Sequence, residues 1–166
     1  MGSDHHAQSP DCSRSVALLA ASVCAAPAQA TGRGKGVNFP VSCSAGAQQA
    51  FNEALAALHS FWYAQAAKEF RAIAEREPDC AMAHWGYAMS HWTQLWAPPR
   101  QDVLDAGLAS LRRAGAVTNK SQRESDFVAA ALAFFGDNDK LDHRTRLAAY
   151  ASAIDRVGRS YPDDRE

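Results

Sequence analysis

AFNEALAALHSFWYAQAAKEFRAIAEREPDCAMAHWGYAMSHW, residues 50–92, is the stretch whose periodicity decides the fold. Phe51, Leu55 and Leu58 recur at intervals of three and four, which places them on one face of a helix predicted over residues 45–60. The aromatic run Phe61-Trp62-Tyr63 breaks that pattern. It resumes with Ala66, Ala67, Phe70, Ile73 and Ala74, predicting a second helix over 64–76. Pro78 stops the second helix, and a third is expected over 81–95. Small side chains let crossing backbones approach, and a large ring such as Phe70 fills the space beside them.

The same alternation continues outward toward the C-terminus. Pro98-Pro99 adds extra chain before a helix over 101–116, with Val103, Leu104, Leu108 and Leu111 inward. Ser121-x-x-Glu124 is a capping box that opens a helix over 122–135, carrying Phe127, Ala131, Phe134 and Phe135. Gly136 suits its C-terminal stop, and Asp137–Asp139 reads as a turn. A last helix over 141–158 buries Leu147, Tyr150, Ala151, Ile154 and Val157. The fold class is therefore all-α.

Toward the N-terminus the character changes. Arg14, the apolar run Val16–Ala26 and the small-residue end Ala28-Gln29-Ala30 read as a signal peptide over residues 1–30. The run is too short to span a bilayer, which needs about 20 residues. Export predicts a periplasmic or secreted protein with no membrane insertion after signal removal. Residues 31–44, with Gly32, Gly34, Gly36 and Pro40, form an extended leading segment whose apolar anchors are Phe39 and Val41. Export also removes Cys12 and Cys24, leaving Cys43 and Cys80 as a pair in an oxidising compartment. Residues 1–30 hold Asp4, Asp11 and Arg14, so their loss brings the 17 basic and 18 acidic residues to equality. A neutral chain without a basic run argues against nucleic acid as a partner.

Ala66, Phe70 and Pro78, with Ala54 before them, stand at the spacing of a tetratricopeptide repeat. Ala81 opens a second repeat 34 residues after Ala47, and Ala88 stands where Ala54 stood. Ala50 and Glu53 depart from the Trp and Leu of that repeat. Leu58–Tyr63, Pro78–Ala83, Trp85-Gly86 and Ala88–Ser90 resemble the N-terminal part of large exported bacterial proteins of this family. The resemblance implies a right-handed superhelical stack of about three helix pairs over residues 45–166, a role in binding other proteins, and no catalytic residues. Because the chain ends at Glu166, where a fourth repeat would begin, it reads as the opening of a longer protein or as one that self-associates. Its partners would then be a protein or peptide, its own downstream repeats, or a second copy.

The resemblance also places the candidate site. Phe51, Leu55, Leu58, Met82, Trp85, Met89 and Trp92, together with Gln48, fall on the A-helix positions that line the concave face. That stripe is either an apolar groove for a peptide or an interior seam covered by Phe39–Val41 or by further repeats. Cys43 and Cys80 each precede an A helix, at the same end of the stack, within reach of a disulfide once the leading segment leans in. The alternative function is a metal- or small-ligand-binding protein using His, Met and Trp of the second repeat. His59, His84 and His91 are weak metal candidates: His84 and His91 are seven apart, about 10 Å along a helix axis. The expectation is no metal and no cofactor. Asp137-Asn138-Asp139 lacks the Gly and Glu of a calcium loop. No nucleophile elbow or phosphate-binding glycine loop is present, so the chain is not expected to be an enzyme, although an activity encoded beyond Glu166 stays open.

Overall fold

The structure is a computed structural model that describes residues 36–92 and 97–164. The signal-peptide reading falls on residues 1–30, outside the described residues. The described residues form six helices and no strand: α1 (Ala45–His59), α2 (Tyr63–Arg76), α3 (Ala81–Ser90), α4 (Gln101–Ala116), α5 (Gln122–Phe135) and α6 (His143–Ser160). Among them no helix is long and apolar enough to cross a membrane.

Each helix packs on the next in sequence, and α3 also touches α1 and α5. Alternate helices of the odd set thus meet, whereas α2, α4 and α6 make no such contact among the described residues. The turns from α1 to α2 and from α2 to α3 are short, so α1, α2 and α3 fold back on one another. Because α3 is enclosed by four helices, it is apolar nearly all round. Ala81, Met82, Ala83, His84, Trp85, Gly86, Ala88 and Ser90 are all buried.

Two close approaches position the layers. A Cβ on Gly86 would meet the Phe70 ring of α2 at 2.4 Å, and one on Gly107 would meet the Phe135 ring of α5 at 2.3 Å. Both rings are fully buried, and each is pressed close to helix backbone bared by a glycine. The Ser110 hydroxyl adds a bond to the His84 carbonyl (2.9 Å), tying α4 to α3.

The helix ends are set by side chains. Ser44 caps α1 and Asp142 caps α6, each accepting from the backbone N–H three residues on. The capping box of α5 is present in both directions. Two boundaries differ from expectation. The third helix stops at Ser90, not residue 95: the backbone N–H groups of His91 and Trp92 bond the carbonyls three residues back, Ala88 and Met89 (both 3.0 Å), tightening the last turn. The last helix begins at His143, after its Asp142 cap. Gly136 does end α5, but in extended geometry, and the left-handed residue is Asp137 (φ 45°). Glycine is needed at 136 because a Cβ there would lie 2.7 Å from the Leu132 carbonyl oxygen. Ala151, expected inside, is exposed, and α6 buries Arg146, Ala153 and Val157. The buried Arg146 guanidinium donates to the carbonyls of Phe134 (3.1 Å) and Leu141 (3.3 Å), closing the C-terminal end of α5.

Candidate functional site

The seven stripe residues belong to the interior. Phe51, Leu55, Met82, Trp85 and Trp92 are buried, and Leu58 and Met89 are half-buried. An open apolar groove is therefore not what they form, for two physical reasons. Aromatic residues of α5 cover one part: Phe134 stacks on Trp92 at 4.0 Å and Phe127 meets Trp85 edge-on at 5.9 Å. The chain's own leading segment covers the other.

That segment crosses α1, α3 and α5 as an extended strap. Along it burial alternates: Val37, Phe39, Val41 and Cys43 turn inward, while Gly36, Asn38, Pro40, Ser42 and Ser44 are exposed. This is the two-residue period of extended backbone. Phe39 is its anchor, fully buried with ring centroids 5.5 Å from Phe51, 5.9 Å from Trp85 and 5.2 Å from Phe127. The Arg123 guanidinium lies over the same ring at 3.8 Å, a cation–π contact.

Polar side chains of the helices satisfy the strap's main chain. Gln48 on α1 donates to the Phe39 carbonyl (2.8 Å) and accepts from the Val41 N–H (2.9 Å). Asn52, one turn on, accepts from the Phe39 N–H (3.2 Å). On α5, Arg123 donates to the Pro40 carbonyl (3.1 Å) and Glu124 accepts from the Ser42 N–H (2.7 Å). Glu124 is buried and also accepts the Ser121 N–H (2.6 Å) and hydroxyl (2.9 Å). Burial pushes its carboxyl upward, but the bonds from Ser42 and Ser121 outweigh this and hold it below the usual glutamate range. Arg123 is held in turn by Asp164 (2.5 Å), and Tyr161 donates to Asp126 (2.7 Å). An open cleft of about 650 Å³, lined among others by Asn38, Pro40, Tyr161 and Asp163, runs along the strap's outer edge.

At its C-terminal end the strap is locked. Cys43 and Cys80 form a disulfide with Cα atoms 5.2 Å apart. Beside it, Glu77 at the end of α2 accepts from the Ser44 N–H (3.1 Å) and hydroxyl, bonds that lower its carboxyl.

The histidines are partnered separately. His84 is buried and bonded to the Pro78 carbonyl (3.0 Å), His91 bonds the Tyr87 carbonyl (2.8 Å), and His59 is exposed. Among the described residues no three His, Cys, Asp or Glu side chains gather as a metal site. Sequence reading named Phe39–Val41 as one possible cover of the stripe but missed the four side chains that hold the strap. Only the pair Gln48 and Asn52, one helical turn apart, left a local signal; Arg123 and Glu124 lie more than 80 residues from the strap.

In comparison with known proteins, no family model, no curated protein and no solved structure matches the chain.

Proposed function

We propose that this chain is an exported helical-repeat scaffold of the tetratricopeptide kind, non-enzymatic, which binds an extended protein segment across α1, α3 and α5. One observation carries this reading. The face already holds an extended segment through side chains that bond main-chain atoms, contacts that do not depend on the identity of the segment's side chains. The Cys43–Cys80 disulfide supports an oxidising compartment, in keeping with a periplasmic or secreted location. The meeting of the odd-numbered helices, with the even-numbered ones apart, supports a curved stack of helix pairs.

A displayed library of random peptides selected against the immobilised full chain tests the proposal. Enriched peptides that slow backbone exchange in α1 and the start of α5, and that bind less well to a Gln48→Ala variant, are the expected result. No enrichment, or protection confined to α4 and α6, refutes it.

A further inference from the structure

Recognition within the strap divides into two kinds. Gln48, Asn52, Arg123 and Glu124 bond main-chain atoms at residues 39–42, contacts available to any extended segment. Side-chain selection centres on residue 39, whose buried ring meets three aromatic rings and a guanidinium, while Val37 and Val41 are only half-buried against the core. Pro40 follows at the one position of residues 39–42 where the helices ask for no donor: the N–H groups of Phe39, Val41 and Ser42 are bonded, and the proline ring is exposed. Proline also biases the residue before it toward extended backbone, which lowers the entropy lost on docking.

From this we infer, resting on the scaffold reading above, that the strap is a resident ligand in cis and that its seat selects an extended segment carrying an aromatic residue followed by proline. Such a segment enters when residues 36–42 peel away. The strap is held covalently only at Cys43, so peeling leaves the Cys43–Cys80 disulfide intact. Its outer edge faces the open cleft beside Tyr161 and Asp163, from which an incoming segment can approach. Tethering keeps the strap at high local concentration, so a ligand in trans binds with an apparent affinity reduced by the fraction of seats left vacant.

The test is fluorescence anisotropy of a labelled peptide GVNFPVS, matching residues 36–42, titrated with the full chain. Phe39→Ala vacates the pocket in cis, and this variant binds the peptide about tenfold or more tighter than the wild type does. A peptide with Ala in place of Phe binds the variant about tenfold or more weaker than GVNFPVS. If Phe39→Ala does not fold by far-UV circular dichroism, Phe39→Leu replaces it, with a smaller gain in the same direction. Binding no tighter in the variants than in the wild type, or unaffected by loss of the peptide's Phe, overturns the inference. So does a variant dimer that takes up no peptide, since the seat would then belong to a second copy's strap. The scaffold reading survives these failures if library peptides of another type still protect α1 and α5, and falls only with that selection.

Discussion

Gly86→Ala and Gly158→Ala are the same chemical change in two helices, and the structure assigns them opposite signs. At residue 158 an added Cβ meets nothing within 4 Å, so only the helix gain remains, about 0.5–1 kcal/mol of added stability. At residue 86 the same atom would lie 2.4, 2.5 and 2.6 Å from three carbons of the Phe70 ring. Ordinary contact begins near 3.4 Å, so the ring must retreat by about 1 Å. It has nowhere to go: Phe70 is fully buried, with Phe51 packed edge-on at 5.3 Å. Overpacking of this kind costs about 1–3 kcal/mol, and a rigid, enclosed ring belongs at the upper end. Set against a helix gain of about 1 kcal/mol, the net loss is about 2 kcal/mol, or on the order of 5–8 °C in Tm for a chain of this size. Thermal and urea unfolding followed by far-UV circular dichroism measure both variants. Adding Phe70→Leu to Gly86→Ala should recover about 1 kcal/mol relative to the sum of the single changes. Should Gly86→Ala be as stable as Gly158→Ala, the ring is not pressed on that helix and the packing of α2 on α3 described above is wrong.

Three further outcomes follow from the same geometry. Breaking the disulfide opens a loop of sequence separation 37 and should lower stability by about 4 kcal/mol in the chain-entropy account; coincident urea midpoints for oxidised protein and a Cys43→Ser/Cys80→Ser variant would refute it. Glu124 and Glu77 both have carboxyls held below the usual value, so their contribution is complete above about pH 4.5 and is lost as pH falls through the lowered values. Urea midpoints should therefore drop as pH falls below about 4.5, and Glu124→Gln should cost about 1.5–3 kcal/mol near neutrality and flatten that slope; an unchanged slope contradicts the assignment. Phe61 is exposed and left-handed (φ 61°), so Phe61→Gly should gain about 0.5–1 kcal/mol in thermal unfolding, relief of strain exceeding the entropy added to the unfolded chain, and a loss of stability would contradict this.

Local signals settled the helices, because each depends on residues within a turn or two of one another. The three- and four-residue spacing in α1, α2, α4 and α5, the Ser121–Glu124 box and the stop at Pro78 are all of this kind. The end of α3 was misplaced because Trp92 prolongs the three- and four-residue spacing of Met82, Trp85 and Met89 past Ser90, while the backbone N–H groups of His91 and Trp92 already turn to the carbonyls three residues back.

What the sequence by itself determined is therefore an all-α chain, its helix order, and two cysteines suited to pairing. What only the tertiary structure decided is which apolar residues are covered, and by what. Phe51, Trp85 and Trp92 carry the same pattern whether they line a groove or a core; Phe39, Phe127 and Phe134, brought from elsewhere in the chain, make them core. Likewise the spacing of Arg123 and Glu124 says nothing of Pro40 and Ser42. Periodicity reports that a face is apolar, but its cover comes from the leading segment and from α5, and the leading segment is in turn held by α5 side chains more than 80 residues away in sequence, a choice made by shape and hydrogen bonding in three dimensions.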